Sequence, residues 1–194
     1  MLCPVPAVLV SCGSGESANL ITVAWAGTVC TNPPMLSISV RPERHSYDLI
    51  RESGEFTVNV PTVNEARAVD WCGVASGREH DKFAKTGLTP APGEKNSCPS
   101  VLEGPVNIEC RVRQTIELGS HTLFIADVVA VQVSEHLIDA KEKLCLEKAG
   151  LLAYVHGEYM TLGKVLGHFG WSVRKRKPKT NRRNPPRQRT GGRR

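Results

Sequence analysis

What this sequence lacks narrows it quickly. No apolar run approaches the roughly 20 residues that a membrane-spanning helix needs. The opening stretch MLCPVPAVLVSCG has no basic segment and is broken by prolines, so it reads as a first strand and not as a secretory signal. Aromatic residues make up only 5% of the chain. The seven cysteines are odd in number and none has CxxC spacing, which argues against a disulfide framework and for reduced thiols in a cytosolic protein. No cluster of cysteine and histidine suggests a structural zinc. No GxGxxG opens a helix, and strands do not alternate regularly with long helices, so a parallel dinucleotide fold is disfavoured. A catalytic triad, paired carboxylates and a metal motif are all missing as well.

Acidic residues are also lacking at the C-terminal end, where basic ones concentrate. Residues 174–194 hold 11 of the 25 Lys and Arg and no Asp or Glu. The remainder has 14 basic against 19 acidic residues, so an acidic body carries a basic tail and the net charge of +6 belongs to the tail. The tail has no large apolar side chain after Val173, cannot bury a core, and is expected to be disordered. The division expected is one domain over 1–173 and a tail over 174–194. With 194 residues and 40% hydrophobic residues the chain is long enough for one real core.

What is present is mostly strand. Residues 7–12 and 19–31 are rich in β-branched side chains, with GSGES between them as a turn. In 35–41, Leu36, Ile38 and Val40 alternate with Ser37 and Ser39, the pattern of a half-buried strand. Ser46 is placed to open a short helix that Gly54 stops, and 55–60 is a further strand. Residues 64–75 form a helix with Asn64 as cap, 84–104 a surface loop, and 140–150 a short helix. Two long strands, 105–118 and 121–134, are joined by a tight Gly119-Ser120 connection. Six strands, mostly hairpin-connected, with a few short helices predict a small antiparallel barrel.

Four segments carry a resemblance. PVPAVLVSC (4–12), NLITVAWAGTVCTNPPMLSISVRPERHSYDLI (19–50), GVASGREHDKFAKTGLTP (73–90) and GSHTLFIADVVAV (119–131) run in one order. Together they resemble the flavin reductase-like FMN-binding split-barrel family, and its flavoredoxin-type branch in particular. The resemblance spans nearly all of residues 4–165. It implies a mainly β, six-stranded split barrel with short flanking helices, a homodimer, and one FMN per subunit near the interface. It also implies redox chemistry at the flavin, with NADH or NADPH as the co-substrate and a small-molecule electron acceptor. The missing acid–base residues fit this, because in hydride transfer the cofactor supplies the reactive atom and the protein supplies orientation.

The residues can be assigned to parts of FMN. RPERHS leads into a helix, and a helix N-terminus favours an anion. Arg41 or Arg44 and the Ser46 hydroxyl can therefore hold the FMN phosphate; a capped helix with solvated arginines is the plainer alternative. Asp48, in the first turn, must then point away. An isoalloxazine ring needs backbone partners and a flat apolar wall. The small residues Ala24, Ala26 and Gly27 permit close approach, and Asn19, Thr22 and Thr28 are polar candidates. Trp25 packs against flavin or belongs to the core. Cys30 lies near the expected flavin edge, though a lone cysteine is more often a buried small apolar residue. His80 and Lys82 can face the phosphate or the nicotinamide entrance, while Asp81 is expected to fix the loop and Phe83 to anchor it. His121 lies, by the resemblance, beside the flavin, where it can bind the flavin or position a pyridine nucleotide; an ordinary turn histidine is the plainer alternative.

Three functions remain open at this level. The chain is expected to be a cytoplasmic flavin reductase that passes electrons from NAD(P)H through FMN to flavin, ferric iron or another small acceptor. It can instead be an FMN-binding electron carrier reduced by a protein partner. A third reading is a nucleic-acid-associated protein that uses the tail, which is otherwise a weak polyanion binder.

Overall fold

Alternating side chains create the central sheet. In a computed structural model the described residues are 2–174. The strands are β1 (Val5–Pro6), β2 (Val8–Cys12), β3 (Asn19–Val23), β4 (Ala26–Thr31), β5 (Pro34–Val40), β6 (Glu55–Val60), β7 (Pro90–Ala91), β8 (Ser100–Val101), β9 (Val106–Glu117), β10 (Thr122–Val133), β11 (Leu152–Val155) and β12 (Glu158–Thr161). Seven of them form one antiparallel sheet in the order β3-β2-β6-β9-β10-β5-β4. The sheet curls until β3 approaches β5, which gives the mainly β split barrel that the resemblance implies. Register shifts between Ile125 and Ala126 and between Val128 and Ala130 help to bend the long β9–β10 ribbon.

The two faces of β2 build two cores. Val8, Val10 and Cys12 point inward and pack with Ile38, Phe56, Cys110 and Phe124. Ala7 and Leu9 point outward and meet Val69 and Cys72 of a helix outside the barrel. That helix is α2 (Ala66–Val74); α1 (His45–Ser53) closes the barrel with Tyr47 and Ile50, and α3 (Lys82–Thr86) carries the buried Phe83. A smaller sheet, β1-β11-β12, is separate.

Several expectations shift. The strand expected at 19–31 is two strands, broken at Ala24-Trp25, so the six-strand sheet has seven. One ladder bond survives the break, from the Ser39 N–H to the Trp25 carbonyl at 2.9 Å. The helix expected to begin at Ser46 is capped instead by Arg44, which places Ser46 inside its first turn. Thr62, not Asn64, starts the next helical stretch: its hydroxyl accepts from the Asn64 N–H at 3.2 Å. The helix expected at 140–150 is only a turn, Leu146–Lys148. Asp139 accepts from the N–H groups of Lys141 and Lys143 at 2.8 and 3.0 Å, a local bond that competes with helix formation. The loop over 84–104 contains the small β7–β8 ladder and is tied to the barrel by Glu109. That buried carboxylate accepts from the backbone N–H groups of Glu94, Lys95 and Asn96 at 2.7, 2.6 and 2.9 Å. Gly54 ends α1 at φ 66°, and the Leu118 N–H to His121 carbonyl bond of 2.9 Å closes the Gly119-Ser120 turn, both as expected.

The compact unit runs from Met1 to Leu162, and Gly163 onward forms a second unit. Residues 163–174 contain one short turn, Trp171–Val173. Apart from Arg174, the expected disordered basic tail lies outside the described residues. No helix among the described residues is long and apolar enough to cross a membrane. All seven cysteines are free thiols.

Candidate functional site

Two cavities lie along β5 and its continuation. Side chains 37, 39 and 41 share one face by strand alternation. Ser37 and Ser39 line a mostly apolar cleft of about 760 Å³. Arg41 lines a polar pocket of about 360 Å³. Four residues of strand separate Ser37 from Arg41, a span of about 13 Å.

The polar pocket draws on four elements and the loops between them. Asn19 and Ile21 come from β3, Arg41, Glu43 and Arg44 from the turn before α1, His45 and Ser46 from its first residues, and Cys72, Gly77 and Lys82 from α2, the following loop and α3. Helix α1 lacks a side-chain cap, because its N-cap position is Arg44. Its first-turn N–H groups therefore favour an anion, and no side chain caps them. Ser46 is buried and its Oγ accepts from Asn19 Nδ2 at 2.7 Å. Lys82 is only 3% exposed. Its Nζ donates to the Cys72 carbonyl at 2.8 Å, and among the described residues no ion pair includes it or Arg44. Burial holds the ammonium below the ordinary lysine value, and Arg44 pushes the same way. A buried cation without a carboxylate is costly unless something else neutralises it. Burial and Arg78 likewise lower the basicity of His45 in the same pocket.

Acidic groups nearby have other partners. Asp48 turns to Arg78 at 3.3 Å, away from the pocket, as the phosphate assignment requires. Arg78 also donates to the Glu43 carbonyl at 3.0 Å. Glu43 itself lines the pocket and pairs there with Arg41 at 3.4 Å, with both side chains about half exposed or more. Asp81 caps α3 by accepting from the Ala84 N–H at 3.0 Å, so its role is structural, and the buried Phe83 anchors the loop.

The apolar cleft is floored by Ala24, Trp25, Ala26 and Gly27, with Val5 and Tyr154 beside them. Trp25 is exposed and lies against the His121 ring at 4.4 Å between centroids; it is not a core residue. Ser120 Oγ lies 3.0 Å from His121 Nδ1. Burial first, then Arg41, lowers the His121 basicity, so the imidazole is neutral at neutral pH.

Asn19, Arg41, Ser46 and Lys82 therefore gather in one pocket, while Ala24, Trp25 and Ala26 gather in the other, with His121 against Trp25. His80 lies in a third cleft of about 690 Å³, with its ring 5.5 Å from Trp71. Four candidates line none of these cavities: His121, which lies against Trp25, and Thr22, Thr28 and Cys30. The Thr22 hydroxyl donates to the Val69 carbonyl and holds β3 to α2. Thr28 is exposed on β4, and Cys30 is half-buried near its end. Sequence reasoning left Gly77, His45 and the β11–β12 hairpin out of the site. A Cβ on Gly77 would come within 2.2 Å of Asn19 Oδ1, a long-range contact without a local signal.

The split barrel thus carries a polar pocket with several basic residues one strand-length from an apolar cleft. The chain belongs to the flavin reductase like domain family, which matches residues 1–163. It is similar to the flavoredoxin of Desulfovibrio vulgaris (Miyazaki F), at 33% identity and a TM-score of 0.83, covering 90% of this chain and 95% of that one. An FMN-binding protein of Thermus thermophilus is 27% identical with a TM-score of 0.71, over 82% and 86% of the two chains. A curated relative, an NADH-dependent FMN reductase of Streptomyces nodosus subsp. asukaensis, is 25% identical over 69% of this chain and 71% of its own.

Proposed function

We propose that this chain is an FMN-dependent oxidoreductase of the flavin reductase type, a homodimer that takes electrons from NADH or NADPH and delivers them to a small acceptor. The observation that carries the reading is Lys82, a buried cation whose pocket holds an uncapped helix start and no carboxylate partner for it. A dianionic phosphate neutralises Lys82 and Arg44 and accepts from the α1 N–H groups and Ser46. Free phosphate alone would not need the second cavity. The apolar cleft along the same strand has the shape and chemistry for an isoalloxazine ring, and the family favours a flavin there.

FMN held there would supply the two-electron redox chemistry. The chain's own residues bind and orient. Lys82, Arg41, Arg44 and Ser46 hold the phosphate end. Ala24, Ala26 and Gly27 let a flat ring approach the β3–β4 backbone. Trp25 and the neutral His121 form a wall beside it, and the imidazole can exchange a hydrogen bond without adding charge. The similarity to an enzyme that its name describes as an NADH-dependent FMN reductase supports a nicotinamide donor. Seven free thiols support a reducing compartment such as the cytoplasm.

The similarity to a flavoredoxin favours a second reading, an FMN-binding electron carrier reduced by a protein partner. Steady-state oxidation of NADH and NADPH by the FMN-loaded protein separates the two. Turnover above that of free FMN supports the enzyme. No oxidation of either, with reduction by a protein donor, supports the carrier. Light scattering tests the homodimer: the mass expected is twice the 21.2 kDa of the chain, and an FMN-loaded monomer would refute it.

A further inference from the structure

Ser46 sits in the polar pocket with its hydrogen-bonding direction constrained. Its Oγ accepts from Asn19 Nδ2 at 2.7 Å, with both residues under 5% exposed. A hydroxyl has one proton and two lone pairs, so an oxygen that accepts from an amide still has its own proton to place. A competing acceptor is the Cys12 thiol, which interacts with the Ser46 hydroxyl. Burial pushes it up to about 11, so it remains a neutral thiol and a weak acceptor. The better acceptor for the Ser46 proton is an anion in the pocket. Gly77 bears on the other side of the same carboxamide. A Cβ there would lie 2.2 Å from Asn19 Oδ1 and 2.9 Å from Nδ2, so any side chain at 77 displaces the amide that sets Ser46.

We infer that Asn19, held against Gly77, is a positioning residue that makes Ser46 a donor to the cofactor's phosphate, so that the site selects phosphorylated flavin over riboflavin. The inference rests on the phosphate reading of this pocket. Neither Asn19 nor Gly77 need touch the ligand. Asn19 sets the polarity of the contact, and Gly77 provides the space in which Asn19 can do so.

The test replaces one donor by an acceptor of the same shape. Asn19→Asp offers Ser46 a carboxylate, draws its proton away from the pocket, and adds a negative charge where the phosphate sits. The readout is the ratio of FMN to riboflavin affinity in the full-length apoprotein, measured by quenching of flavin fluorescence, with melting curves alongside. Loss of a charge-assisted bond predicts that FMN affinity falls by about tenfold to a hundredfold while riboflavin affinity stays constant. Gly77→Ala reaches the same contact from the loop. It should lower the ratio on its own and have no further effect in an Asn19→Ala background. An unchanged ratio in Asn19→Asp would overturn the inference. If that variant does not fold, an unchanged ratio in Gly77→Ala, or equal effects of Gly77→Ala with and without Asn19, would do the same. Unaltered protein that binds FMN no better than riboflavin would instead refute the phosphate reading itself.

Discussion

Replacing Lys82 with methionine should move stability and binding in opposite directions. The side chain is 3% exposed and makes one hydrogen bond, to the Cys72 carbonyl at 2.8 Å. Methionine keeps the length and apolar volume and removes the charge. In the apoprotein this relieves a buried cation without a carboxylate, a gain of about 1–4 kcal/mol by analogy with buried ion pairs replaced by apolar groups. The loss of the bond to Cys72 offsets about 1 kcal/mol of that. The net expectation is an apoprotein unchanged or stabilised by up to about 3 kcal/mol. At about 2–4 °C per kcal/mol for a chain of this size, Tm should rise by up to roughly 10 °C. FMN binding loses a desolvated charge contact worth about 2–5 kcal/mol, so Kd should rise by about thirtyfold or more. Calorimetric melting of apoprotein and titration with FMN measure the two effects. A destabilised apoprotein with unchanged FMN affinity would refute the reasoning and make Lys82 a structural tie between α3 and α2.

Two other outcomes follow from the same structure. Because burial lowers the Lys82 basicity, FMN affinity should decline on the alkaline side, beginning below the ordinary lysine value of 10.5, and Lys82→Met should abolish that limb. Over the same window the unfolded chain holds more protons than the folded one, so apoprotein stability should rise with pH as the buried cation is discharged; parallel loss of both would contradict the assignment. Truncation after Val173 should leave flavin content and turnover unchanged and abolish retention on a polyanion column, which in the full chain should fall steeply with salt. A truncated protein that folds but loses FMN would refute that division.

Local patterns in the sequence carried most of the barrel. The alternation of Leu36, Ile38 and Val40 with Ser37 and Ser39 is a period-2 signal, and β5 follows it. Gly119-Ser120 dictates its own turn through a positive φ of 86° at Gly119. The break at Ala24-Trp25 was hidden because the run 19–31 is rich in β-branched and apolar residues on both sides of it, with no proline or turn signal between its halves. The site was legible in part for the same reason. Arg41 and Ser46 flank a helix start that is readable from sequence, and Lys82 lies in a segment that the resemblance marks. Thr22 looks like a polar ligand in the sequence, but its hydroxyl is spent on the Val69 carbonyl 47 residues away. Gly77 looks like loop, yet its role depends on a contact with Asn19 across 58 positions. Contacts of that range leave no periodic trace.

The central claim is that a phosphorylated flavin is held by its phosphate in the pocket of Lys82, Ser46 and the α1 N-terminus. The most direct measurement is chemical identification of the chromophore released from the purified chain, with titration of the stripped protein by FMN and by riboflavin. The account predicts a yellow protein that releases FMN, with riboflavin bound at least tenfold more weakly for want of a charge-assisted bond. A colourless protein that takes up neither flavin, or one that binds both equally, would contradict it.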